Sequence, residues 1–256
     1  MTPANVPYGS WPSPISPELV TVAAVSIGEL AAGGGDLWWS ELRPEEGGRT
    51  QIVRCDLAGS RRDVLPEGFA ARTRVHEYGG GAWWLDGDVL FFCNWDDLRV
   101  YPLDSDADPV ALTPEPVVRH GDRYADGGLT PDGHWVIAVN EHHEGASEGA
   151  HDEPVNRLVA FDAKRPGETV VVAEGSDFYA NPRVSPDGSW LAWLEWQHPD
   201  MPWDSTELFV APLVVDSHGI RVDHSARRRL AGPGEWLFQP EWGPDGSLWF
   251  ASDRTG

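Results

Sequence analysis

Lysine is almost missing from this chain. Of nineteen Lys and Arg residues a single one is lysine (Lys164), and they face 41 Asp and Glu in 256 residues, for a formal net charge of −22. That excess repels phosphate backbones and anionic headgroups, which excludes nucleic acid and membrane surfaces as partners. Cysteine is scarce as well. Cys55 and Cys93 are too few for a disulfide framework or a four-cysteine zinc site. No apolar run approaches the roughly 18 residues that would span a bilayer. Residues Leu19 to Ile27 superficially resemble a secretory core, but no basic residue precedes them (the first is Arg43), and Glu18 and Glu29 flank them. These absences predict a soluble, cytoplasmic, acidic protein. With 41% hydrophobic residues the chain can still bury a sizeable core.

What is abundant is tryptophan, glycine and proline: 14 Trp, 28 Gly and 22 Pro. Gly and Pro break helices, while Trp and β-branched residues suit pleated, half-buried surfaces. One short helix is expected, at Pro17–Val25, where Ser16 can cap and Pro17 takes the first helical position. Everything after it reads as short strands between turns, so the fold is expected to be all-β.

Those strands repeat. Pro131-Asp132-Gly133, Pro186-Asp187-Gly188 and Pro244-Asp245-Gly246 each precede an aromatic-rich strand, and degenerate copies stand at Gly35-Asp36 and Asp86-Gly87-Asp88. The aligned aspartates, Asp36, Asp86, Asp132, Asp187 and Asp245, are separated by 50, 46, 55 and 58 residues. Proline presets φ, aspartate bonds its own downstream backbone, and glycine accepts the positive φ of a tight hairpin. Further strand pairs follow each turn, for example Leu158–Asp162 with Thr169–Ala173, and Leu208–Leu213 with Arg228–Leu230. About four strands in each repeat of about 50 residues is the period of a β-propeller blade. The count predicts a partial propeller: about four complete four-stranded blades and the start of a fifth, over residues 26–256, behind an extension at 1–25. On this arithmetic the chain reads as the front part of something longer.

Several segments are similar to the N-terminal propeller of the prolyl oligopeptidase family of serine peptidases, particularly its acylaminoacyl-peptidase and dipeptidyl-aminopeptidase-like branch. The most specific is Arg74-Val75-His76-Glu77-Tyr78-Gly79-Gly80-Gly81-Ala82-Trp83. The opening Tyr8–Ile15, the segment Glu153–Val159, and Ser185–Gly188 with its tryptophan strand resemble the family too. The resemblance implies a non-catalytic propeller that caps a C-terminal α/β-hydrolase domain of the same polypeptide and admits short peptides. The hydrolase domain, with its Ser, Asp and His, is absent from these 256 residues. No cofactor is implied, and the oligomeric state is left open.

Catalytic motifs within the chain itself fail on context. Gly145-Ala146-Ser147-Glu148-Gly149 has the letters of a nucleophile elbow, yet a polar loop surrounds it and no helix follows. His142, His143 and His151, with Glu144, Glu148 and Asp152, match no metal-binding spacing. His76-Glu77 begins like a zincin motif, but Gly80 stands where the second histidine is needed. Gly79–Gly81 leads into a strand with no Lys-Ser/Thr after it, which excludes a phosphate cradle.

Arg74, His76, Glu77 and Tyr78 before three glycines suggest side chains converging where backbone approaches something closely. Two roles are open for them: an inter-blade hydrogen-bond network, or the wall of a substrate channel or interdomain contact. Two functions are open for the chain: the gating propeller of a serine peptidase acting on short or N-acylated peptides, or a stand-alone propeller used as a binding scaffold.

Overall fold

The computed structural model describes residues 9, 13–16, 24–104, 108–143 and 153–256. The helix expected at Pro17–Val25 falls largely on residues 17–23, outside the described residues. So do Gly145–Gly149 and His151.

The described residues form eighteen strands in five antiparallel sheets. The first comprises β1 (Ser26–Gly33), β2 (Asp36–Arg43), β3 (Arg49–Cys55) and β4 (Arg61–Asp63); the second β5 (Trp83–Asp86), β6 (Val89–Cys93) and β7 (Val100–Leu103). The third holds β8 (Asp122–Leu129), β9 (Trp135–His142), β10 (Val155–Asp162) and β11 (Val170–Glu174). The fourth has β12 (Phe178–Val184), β13 (Trp190–Trp196), β14 (Glu207–Asp216) and β15 (Gly219–Val222), with β16 (Arg228–Ala231) also on β14. The fifth is β17 (Leu237–Trp242) with β18 (Leu248–Ser252). This is the expected partial propeller. The second sheet differs from the four-stranded expectation: beside β7 the chain makes only isolated bonds, from the Leu112 amide to the Val100 carbonyl (2.8 Å) and from the Val100 amide to Thr113 Oγ1 (3.1 Å).

Each aspartate turn joins the first strand of a sheet to its second. Asp132 Oδ1 takes the His134 amide (3.1 Å), Asp187 Oδ1 that of Ser189 (3.0 Å) and Asp245 Oδ1 that of Ser247 (3.0 Å). Hydroxyls from Thr130 and Ser185, both at 2.6 Å, complete the first two turns.

Period-two alternation then sends neighbouring residues to opposite cores. On β9, Val136 and Ala138 pack against the second sheet beside Phe91 and Cys93, while Ile137 and Val139 pack against the fourth beside Leu191 and Trp193. Strand β10 does the same with Val159 and Phe161 against Leu158 and Ala160. Trp38, Ile52, Leu90 and Phe92 fill the seam between the first two sheets, and Leu194, Leu208, Leu237 and Phe250 that between the last two. Each core is a seam between sheets, as in a propeller. Apolar side chains stay exposed on the outermost sheets, among them Ile27 and Leu37 in the first and Trp249 in the last. Cys55 and Cys93 are both free. Cys93 is buried, and its thiol donates to the Tyr124 carbonyl at 3.0 Å.

Candidate functional site

The first strands of consecutive sheets, β1, β5, β8, β12 and β17, lie side by side. Four of them carry the same irregularity, a bulge between Ile27 and Leu30, Ala125 and Gly128, Ala180 and Arg183, and Phe238 and Glu241. Three of the bulges hold a non-glycine residue in the left-handed region: Asp126 (φ 55°), Asn181 (φ 48°) and Gln239 (φ 50°). Such bulges re-aim backbone and side chains at the rim of a sheet. Together the strands wall a cavity of about 860 Å³ lined by Glu29, His76, Tyr78, Asp126, Trp196, Trp203 and Trp236, among others.

In the second sheet Gly79-Gly80-Gly81 occupies the equivalent stretch. What the backbone approaches there is the next sheet. Asp126 donates its amide to the Gly81 carbonyl (2.8 Å), and its Oδ1 accepts the Gly81 amide (2.7 Å). The other carboxylate oxygen accepts the Asn181 amide at 3.4 Å, so one side chain bridges three consecutive sheets. A Cβ on Gly81 would fall 2.4 Å from Asp126 Oδ1, and one on Gly127 would fall 2.2 Å from the Trp84 ring.

Immediately before the glycines the chain makes a tight turn. The Glu77 amide bonds the Arg74 carbonyl (2.9 Å) and the Gly79 amide bonds that of Val75 (2.9 Å). His76 (φ 54°) and Glu77 (φ 66°) are both left-handed, at a cost of about 1 kcal/mol or more for each non-glycine residue. Such strain persists only where surroundings over-determine it. Here they do. Buried Glu141, on β9, accepts the His76 amide at 2.6 Å, Arg123 Nη1 at 2.7 Å and His143 Nε2 at 2.7 Å. Arg123 Nη1 also reaches Glu77 Oε1 (2.6 Å) and the Arg74 carbonyl (3.1 Å).

The four residues singled out by sequence thus sit together but do different things. The Arg74 guanidinium stacks on Trp95 at 4.3 Å, beside Arg72 at 4.2 Å, and Arg74 does not line the cavity. The Glu77 carboxylate is turned to Arg123, whose hydrogen bond holds it below the usual carboxylate range. His76 packs edge-on against Phe178 (5.2 Å) and Trp196 (5.5 Å), and burial pushes its imidazole down, favouring the neutral form. Tyr78 lines the cavity while remaining 64% exposed. His142 and His143 diverge, each to its own carboxylate: His142 Nδ1 to Asp122 (2.8 Å), His143 to Glu141.

Sequence reasoning passed over Glu29, Arg123, Asp126 and Glu141. A signal for one of them existed: Asp126, Asn181 and Gln239 each stand six residues before a turn aspartate. Glu29 lines the cavity while remaining solvent-reached as a residue. Desolvation there, and then the Asp126 charge, push it up to about 7.

No family model and no curated protein matches the chain. Solved structures do. A puromycin-hydrolysing peptidase of Mycobacterium tuberculosis is 40% identical, with a TM-score of 0.83 over 99% of this chain and 39% of that one. A puromycin hydrolase is 35% identical, with a TM-score of 0.80 over 99% of this chain and 40% of its own. The chain therefore spans about two fifths of the length of these relatives. The tricorn protease, 13% identical over 86% of this chain with a TM-score of 0.54, shares the fold alone. Among the described residues no helix is long and apolar enough to cross a membrane.

Proposed function

Because the chain belongs to the prolyl oligopeptidase family of serine peptidases and corresponds to its N-terminal propeller, we propose that it is the non-catalytic, substrate-gating propeller of a cytoplasmic hydrolase of short or N-acylated peptides. Residues 26–256 form the propeller portion and 1–25 an extension. The serine, histidine and aspartate of acyl transfer belong to an α/β-hydrolase domain of the same polypeptide. Within the gate, His76 and Tyr78 stand on the channel wall, Glu77 fixes the turn that carries them, and Arg74, stacked on Trp95, is the candidate for the interdomain contact.

The observation that carries this reading is the cavity itself. It lies along the innermost strands and is walled by aromatic rings together with Val75, His76 and the stretch Tyr78–Gly81. A channel of that kind selects by width, because a folded or long chain cannot enter between rigid sheets. The test is a ladder of peptides, N-acetylated and free, given to the full-length polypeptide. Gating predicts that kcat/KM falls steeply once length exceeds a few residues. The 256-residue chain alone should hydrolyse none of them. Turnover independent of length, or hydrolysis by the isolated chain, would refute the gate.

A further inference from the structure

We infer that Glu141, acting with Arg123, is the positioning residue for the turn that presents His76 and Tyr78 to the channel. The inference rests on the gating role just proposed. Its basis is an arrangement that ordinary stability does not require. A left-handed pair of non-glycine residues stands at positions 76 and 77, and the third sheet holds it in place. The Glu141 carboxylate is 2% exposed and receives three donors, one of them the His76 amide. Arg123 Nη1 ties that carboxylate to Glu77 Oε1 and to the Arg74 carbonyl. Removing the clamp frees the turn to relax toward right-handed backbone, which would withdraw Tyr78 from the wall.

Glutamine at position 141 keeps the size and one acceptor, but turns an NH₂ group toward the Arg123 or His143 donor. In the full-length enzyme, Glu141→Gln should raise KM for short peptides about 10-fold while kcat stays within about 2-fold. Amide exchange at Glu77–Gly80 should accelerate in the same variant. Glu77→Gln alters an exposed side chain and spares the core, and should move KM the same way by about 2-fold. This second variant, with its exchange rates, decides the matter if Glu141→Gln does not fold. A residue that served stability alone would lower kcat through the active fraction and leave KM unchanged. That result, or unchanged KM and exchange in both variants, overturns the inference. Tyr78→Ala separates the two layers. If it leaves KM unchanged, the channel reading itself fails; if it raises KM while the clamp variants do not, only the positioning role fails.

Discussion

At the Pro-Asp-Gly end of the blades, three sheets repeat one hydrogen-bond pattern, in which each aspartate takes the amide two residues on. At the opposite end, the Arg74–Gly79 turn meets Glu141, Phe178 and Trp196 across the seam between sheets. The three Pro-Asp-Gly turns are closed by contacts within six residues of chain. The Arg74–Gly79 turn is closed by contacts spanning 46 and 65 residues, as between Glu77 and Arg123 and between His76 and Glu141. Local chemistry can be copied from blade to blade, whereas the hold on a left-handed pair at positions 76 and 77 needs residues far apart in the chain. That turn borders the cavity.

The contrast predicts unequal sensitivity. Glu141→Ala should cost most, about 3–5 kcal/mol by chemical denaturation, because it takes the acceptor from three donors and leaves largely buried Arg123 with only the exposed Glu77 carboxylate. Gly127→Ala drives a methyl group into Trp84 and should cost about 2–3 kcal/mol. At the turn end, Gly188→Ala meets no close neighbour, so only its left-handed φ of 75° counts, worth about 1 kcal/mol. Equal losses at all three positions would dissolve the distinction between the ends.

The smallest effect is in pH dependence, and its sign reverses between turn and channel. Bonds from Ser185 and Ser189 hold Asp187 down to about 2, below its ordinary 3.8. Its contribution is therefore complete above about pH 4 and is lost as pH falls toward 2. Glu29 is raised instead, from 4.5 to about 7, so the folded state binds the extra proton and stability declines as pH climbs between those values. Glu29→Gln should flatten a melting-temperature profile between about pH 5 and 7 and leave the acid limb unchanged. An unaltered profile in that window would mean that the carboxyl is not desolvated in the folded state.

The same contrast explains how much could be read in advance. The β class, the blade period and the turns were legible because Pro, Asp and Gly encode their geometry within a few residues. The aromatic-rich strands were legible because period two is local as well. Arg74–Gly81 stood out by composition, but its partners did not. Glu141 looks like any acid beside a histidine-rich loop until β9 lies under the turn. Asp126 shows nothing of its bridge until Gly81 and Asn181 arrive from two other sheets. The three-stranded second sheet was hidden for a similar reason, since Val110–Thr113 has the residues of a strand but forms no ladder with β7.

The odd-and-even division of β9 and β10 has a consequence for how such a chain can change over generations. A single inserted residue in either strand would exchange Val136 with Ile137 and Val159 with Leu158, spoiling two seams in one event. Length variation should therefore collect in the connections, while the interior strands drift only by size-compensating replacements made on both sides of a seam.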